Sequence, residues 1–193
     1  MNKQDIIHFF DRLAPWWDAD MIRDDTIIAT ILDNAGVSQG KRVLDVACGT
    51  GVLFGDYLER EVASLTAIDI SPEMAKIASA KCPQARVLCG DALTQPLPGP
   101  FDCIVVYNAF PHFPQPEKLI EVLSGYLAPG GSLTVAHGMS RAAIDAHHHG
   151  SASKVSVGLM HEDDLAALME KTLTVKHKIS NEKMYQVTAV KQR

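Results

Sequence analysis

Val43-Leu44-Asp45-Val46-Ala47-Cys48-Gly49-Thr50-Gly51 begins as an apolar, β-branched run and ends in a glycine turn. Its first half, led in by Lys41 and Arg42, has the composition of a strand buried on both faces. Beyond the turn, Leu53, Phe54, Tyr57 and Leu58 take up helical spacing. Strand, glycine turn and helix make the opening of a βα unit, and the alternation continues downstream. Leu65–Asp69 reads as a second strand. Ser71 then supplies an N-cap, Pro72 a first helical residue, and Met74, Ala75, Ile77 and Ala78 a buried face. Arg86–Cys89 and Phe101–Val106 are a third and a fourth strand. Pro116 opens a helix carrying Leu119, Ile120, Leu123, Tyr126 and Leu127, and Pro129-Gly130-Gly131 turns the chain into a fifth strand, Ser132–Ala136.

Alternating strands and helices predict a doubly wound α/β fold with right-handed crossovers. The rhythm breaks after a helix at about 161–171. Leu173–Ile179 and Tyr185–Val190 are joined only by Ser180-Asn181-Glu182-Lys183, which implies an antiparallel hairpin at the sheet edge. The basic side chains Lys176, His177, Lys178 and Lys183 suit a solvated edge that discourages further pairing. Upstream, residues 4–35 form two amphipathic helices. Pro15 ends the first, Gly36 caps the second, and Trp16 and Trp17 between them are expected to pack the pair onto the core.

The chain has 193 residues, 47% hydrophobic and 21% charged, with a net charge of −5. That length predicts one domain, 1–193, with residues 1–40 as a helical cap and 41–193 as the core. The acidic balance argues against a nucleic-acid partner, whose phosphates require clustered Lys and Arg. No apolar run reaches the ~20 residues of a membrane-spanning helix, and Met1-Asn2-Lys3-Gln4-Asp5 lacks the layout of a secretory signal, so a cytoplasmic location is expected. The four cysteines, at 48, 82, 89 and 103, form no CxxC pair. They are read as structural.

In such a sheet a ligand binds beyond the carboxyl ends of the strands, near the point where strand order reverses. The residues placed there are Asp45 with Ala47-Cys48-Gly49-Thr50-Gly51, Asp69-Ile70, Gly90-Asp91-Ala92, Tyr107-Asn108-Ala109, and His137-Gly138. Gly49 and Gly51 allow backbone to approach a ligand closely. Asp69 is placed to accept from ribose hydroxyls, and Asp91 from an exocyclic amine. The glycine spacing departs from a dinucleotide fingerprint, since Phe54 stands where the third glycine belongs. Asp45, before the turn, would repel a pyrophosphate but suits an ammonium group. Asp45 and the C-terminal hairpin, which is atypical of a dinucleotide domain, favour a ligand combining adenosine with an amino-acid moiety over a nicotinamide dinucleotide.

These residues resemble the class I S-adenosylmethionine-dependent methyltransferases, nearest the compact branch that includes ubiquinone- and menaquinone-biosynthesis-type enzymes. The resemblance rests on Val43–Gly51, Ile68-Asp69-Ile70-Ser71-Pro72-Glu73-Met74, Gly90-Asp91-Ala92, Phe101-Asp102 and Leu127-Ala128-Pro129-Gly130-Gly131, in the family's order. It implies a Rossmann-like, mostly parallel seven-stranded sheet with S-adenosyl-L-methionine as cofactor. Asp45 and the Ala47–Gly51 backbone, Thr50 included, would hold the methionine part. Asp69 would bind the ribose, Ile70 and Met74 would pack on the adenine, and Gly90-Asp91-Ala92 would meet its amine. Asn108 would lie beneath the sulfonium. Phe10-Asp11 and Trp17-Asp18 resemble the segment that folds over the cofactor, so Trp17 joins the binding set.

The implied reaction is in-line methyl transfer to a small-molecule acceptor. The alternatives are a non-catalytic S-adenosylmethionine-binding protein and a nicotinamide-dependent dehydrogenase. Transfer rests mainly on proximity and alignment, and a base is required only where the nucleophile must lose a proton. The family nominates none. His112 after the fourth strand, His137 at the end of the fifth and His147-His148-His149 after it are the candidates for a base or a substrate-orienting imidazole. Solvated histidines and a metal site are the competing readings. Adjacent histidines diverge on a helix or strand, so no metal site is assigned. Oligomeric state is left open.

Overall fold

The computed structural model describes residues 2–148 and 154–193. Its sheet has seven strands: β1 (Arg42–Val46), β2 (Ser64–Asp69), β3 (Arg86–Cys89), β4 (Phe101–Tyr107), β5 (Leu127–His137), β6 (Thr174–Ser180) and β7 (Tyr185–Val190). The order is β3-β2-β1-β4-β5-β7-β6. β1 to β5 run parallel, and β7 pairs antiparallel with both β5 and β6. The chain steps from β1 outward to β3, then returns to the other side of β1 as β4. The reversal point therefore lies between β1 and β4.

Alternation along these strands separates two cores. Leu44, Val46, Ile104 and Val106 point to one face, against Leu119, Ile120 and Leu123 of α6 (Pro116–Gly125) and Leu165 and Met169 of α8 (Glu162–Met169). Val43, Cys103 and Val105 point to the other. There they meet Ile28 and Leu32 of α3 (Asp25–Asn34), Phe54 and Tyr57 of α4 (Phe54–Glu59) and Ala78 of α5 (Pro72–Lys81). This is the period-2 division expected of strands covered on both sides.

Local chemistry sets several element ends. Ser71 Oγ accepts from the Met74 N–H at 3.2 Å, capping α5. After α3, Gly36 at φ +72° lets its own N–H reach the Asp33 carbonyl and the Val37 N–H reach that of Leu32. This paired closure satisfies carbonyls that the helix end leaves open. A polar seam then fastens α3 to the sheet. Gln186 donates to the Ile31 carbonyl and accepts from Asn34 Nδ2, and Ser132 Oγ donates to the Ala35 carbonyl.

Three features differ from the sequence expectation. β5 begins at Leu127 rather than Ser132, and α6 ends at Gly125. Phe101 pairs with Leu127 and Cys103 with Ser132, so Pro129-Gly130-Gly131 is an irregularity inside the strand. A Cβ at Gly131 would lie 2.9 Å from the Phe101 carbonyl oxygen, which reserves the place for glycine. Trp16 is 67% exposed and does not pack on the core; only Trp17 turns inward. The third is an unforeseen helix, α7 (Arg141–His148), after β5.

Preceding α3, α1 (Lys3–Leu13) and the short α2 (Trp17–Asp20) lie across the carboxyl end of the sheet. Polar side chains hold them there. Lys3 Nζ pairs with Asp91 at 2.5 Å. Asp11 accepts from Ser71 Oγ at 2.5 Å, and Asp18 from Thr50 Oγ1 at 2.5 Å and Lys81 Nζ at 2.6 Å. Among the described residues, no helix is long and apolar enough to cross a membrane.

Candidate active site

Beneath α1 and α2 a cavity of about 510 Å³ opens at the carboxyl ends of β1 to β4, within the size range of small-molecule sites. Trp17, Asp45, Ala47, Gly49, Asp69, Ile70, Met74, Gly90, Asp91, Ala92 and Asn108 all line it, and so does His112. Thr50 and Gly51 do not. The Thr50 hydroxyl is committed to Asp18, and a Cβ at Gly51 would lie 2.6 Å from the Phe54 ring, so these two shape the turn and anchor the cap.

The backbone around the cavity is tightly wound. Ala47, Gly49 and Gly51 have φ of +55°, +56° and +81°, and Asn108 has +53°. Such angles cost an L side chain roughly 1–2 kcal/mol, so Ala47 holds its turn under strain. Asn108 tolerates the conformation better. Its side-chain oxygen accepts from the Gly138 N–H at 3.0 Å, joining the ends of β4 and β5.

Two buried carboxylates dominate the electrostatics. Asp69 accepts from the N–H groups of Gly49 at 2.8 Å and Ser71 at 2.9 Å. Even so, burial pushes its pKa up to about 6. Asp45 is 2% exposed at the cavity wall, and burial followed by the neighbouring charge of Asp69 pushes its pKa well above its ordinary value. No hydrogen bond among the described residues reaches its oxygens. A buried carboxylate lacking a donor is costly by itself. It is the arrangement that a cationic group entering the cavity would relieve. Ile70, Met74, Ala92 and Leu93 add apolar wall beside Asp69 and Asp91, suited to a flat base. The donor set thus fits a ligand with an ammonium, a ribose and an adenine.

The comparisons agree with this reading. Residues 43–131 match the family model described as a methyltransferase domain. Over these residues the chain is similar to S-adenosylmethionine-dependent methyltransferase domains. A curated relative, the ubiquinone biosynthesis O-methyltransferase of Xanthomonas campestris pv. campestris (strain B100), is 33% identical over 134 residues, covering 61% of this chain and 54% of its own length. The chain therefore spans about half the length of that relative. Two solved structures share the fold at a TM-score of 0.75. The N-methyltransferase NodS from Bradyrhizobium japonicum WM9, in complex with S-adenosyl-L-homocysteine, is 18% identical, with 97% of this chain and 99% of that one covered. Magnesium protoporphyrin IX methyltransferase (ChlM) from Synechocystis PCC 6803, with bound S-adenosylhomocysteine, is 16% identical, with 98% and 99% covered.

The cavity also takes in residues beyond those expected from the sequence. Phe113, Gln115 and Lys118 follow β4, and the rule that ligands sit beyond strand ends would have found the first two. Lys3, Ile6 and Met21 come from the cap, and nothing in the local sequence marks them. His112 stands at a junction: its Nδ1 lies 2.6 Å from the Val155 carbonyl oxygen, and its ring meets Phe10 edge-on at 4.9 Å. His137, by contrast, is buried against Tyr185 and does not line the cavity. His147 and His148 end α7, but their side chains, like the whole of His149, lie outside the described residues. Among the described residues no group of three His, Cys, Asp or Glu could hold a metal ion.

Proposed function

We propose that the protein transfers a methyl group from S-adenosyl-L-methionine to a small-molecule acceptor. The observation that carries this reading is the cavity in which Asp45, buried without a donor, and Asp69 face an apolar wall. When bound, the cofactor supplies a methyl group already activated by its sulfonium. Asp45 would take the ammonium end and Asp69 the ribose, while Ile70 and Met74 would enclose the adenine. Phe10 and Trp17 of the cap line the cavity, and they would restrict the acceptor to a compact molecule. Alignment of the two reactants in that space is the main catalytic contribution. A hydroxyl acceptor is favoured by the O-methyltransferase name of the relative.

Calorimetry with S-adenosylhomocysteine and with NAD, followed by capture of labelled methyl from S-adenosylmethionine by a small-metabolite extract, tests the proposal. Binding of S-adenosylhomocysteine alone, with label entering one metabolite class, is the expected result. Binding without transfer to any metabolite would leave a cofactor-binding protein, and binding of NAD alone would point to a dehydrogenase.

A further inference from the structure

Lys3, the first residue of α1, reaches the cavity from the cap. Resting on the methyltransferase reading above, we infer that its ammonium, paired with Asp91, donates to ring nitrogen N1 of the cofactor's adenine. Lys3 is then a specificity residue for the base.

The helix itself gains nothing from a lysine at this position. A cation in the first turn opposes the positive end of the helix dipole. The turn is capped by Asn2, whose Oδ1 accepts from the Gln4 N–H at 3.0 Å. The Lys3 side chain extends instead to the residues that follow β3. Its Nζ lies 2.5 Å from Asp91 Oδ2, while Asp91 Oδ1 accepts from the Leu93 N–H at 2.9 Å. The two contacts fix the plane of the carboxylate. A carboxylate oxygen can accept twice, and an ammonium can donate three times. Oδ2 therefore keeps one place for a further donor, and Nζ keeps two donors; among the described residues Lys3 has no second partner.

An acceptor and a donor thus stand side by side, against the apolar wall of Ile70, Met74, Ala92 and Leu93. Adenine carries the complementary pair on its Watson–Crick edge, where the exocyclic amine donates and the adjacent N1 accepts. Asp91 alone would select the amine and leave N1 unread. With Lys3 both contacts are made, and each is charge-assisted. Hypoxanthine reverses the order, with a carbonyl oxygen that accepts and an N1–H that donates. It would place acceptor against acceptor and donor against donor. Lys118, the other lysine on the cavity, pairs with Glu121 of its own helix.

The experiment is a cycle between side chain and ligand. Calorimetry compares S-adenosylhomocysteine with its 1-deaza analogue, in which N1 is replaced by C–H, on wild type and on Lys3→Met. Wild type is expected to prefer S-adenosylhomocysteine by about tenfold, the scale of one hydrogen bond to a charged group. In Lys3→Met the preference should shrink to within about twofold, with affinity lost for S-adenosylhomocysteine and not for the analogue. Lys3→Arg, which keeps a donor, should restore most of it. A preference that survives Lys3→Met overturns the assignment, because another group then reads N1. Equal losses on both ligands would make Lys3 an anchor of the cap only, and gains on both would make it an obstruction; either result overturns the assignment as well. Should wild type bind neither ligand, the methyltransferase reading itself falls. Failure of the cycle alone leaves that reading standing.

Discussion

Asp102 opens β4 and Asp45 lies near the end of β1, on adjacent strands but at opposite ends of the sheet. Asp102 receives the Arg42 guanidinium through Nε and Nη2 and the Arg42 backbone N–H as well, all at 2.9 Å. That grip holds its pKa down at about 2. Asp45 receives nothing among the described residues, and burial pushes its pKa upward. One end of the sheet is closed by an ion pair; at the other a buried carboxylate lines a cavity. Backbone strain is not confined to one end: Ala47 and Asn108, at positive φ, border the cavity, while Glu61, at +52°, precedes β2 at the amino end. The difference separates a carboxylate held by its partners from one held by burial at a cost that a cationic ligand would relieve.

Breaking the binding end gives the largest effect. Asp45→Asn removes a buried charge without changing shape. It should raise the unfolding free energy by about 1–3 kcal/mol, while S-adenosylhomocysteine affinity falls by about a hundredfold or more, the scale of a buried charged contact. Denaturant titration and calorimetry read the two halves.

A second, smaller effect concerns pH. The raised pKa of Asp69 means that the folded chain holds a proton between about pH 4 and 6 that the unfolded chain has released. Asp69 therefore weakens the empty protein progressively as pH rises through that window. Asp102 behaves oppositely: its stabilisation is complete above about pH 4 and disappears as pH falls toward 2. If Asp69 binds the ribose as a carboxylate, as proposed, affinity for S-adenosylhomocysteine should fall by up to about tenfold per pH unit below about 6. Calorimetry across pH 4–8 checks the slope.

At the amino end, Asp102→Ala should lower the melting temperature by about 2–4 °C, the shift that roughly 1 kcal/mol produces in a domain of this size. Cofactor affinity should not change. The smallest effect is Ala47→Gly, which exchanges strain for backbone freedom and should stabilise by less than about 1 kcal/mol. A melting temperature lowered by that substitution would show that the turn is not under strain.

How legible these two ends were in the sequence depends on the range of the interactions behind them. Ser71-Pro72 and Gly36 could be read because caps are settled within a few residues. The positions of Asp45, Gly49, Asp69 and Asp91 followed from strand ends in an alternating fold, and the cavity gathers all four. The start of β5 was hidden because Leu127 is drawn into the sheet by Phe101, a partner 26 positions away in the chain. The commitment of Thr50 to Asp18 and of Asp91 to Lys3 was hidden for the same reason. A sequence shows which carboxylates stand at strand ends, but not which of them a distant helix will occupy.

The anchors of the cap have a kinetic consequence. Lys3–Asp91, Asp11–Ser71 and Asp18–Lys81 are contacts between polar side chains in which Lys3, Lys81 and Asp18 remain partly open to solvent. The two ion pairs among them are each worth about 0.2–1 kcal/mol and weaken with added salt. On the proposed function, reactants and products would pass this cap in each turnover. Ionic strength should then act as a throttle on exchange: moderate salt loosens the cap and hastens product departure, until an open cap no longer shelters the reacting pair from water.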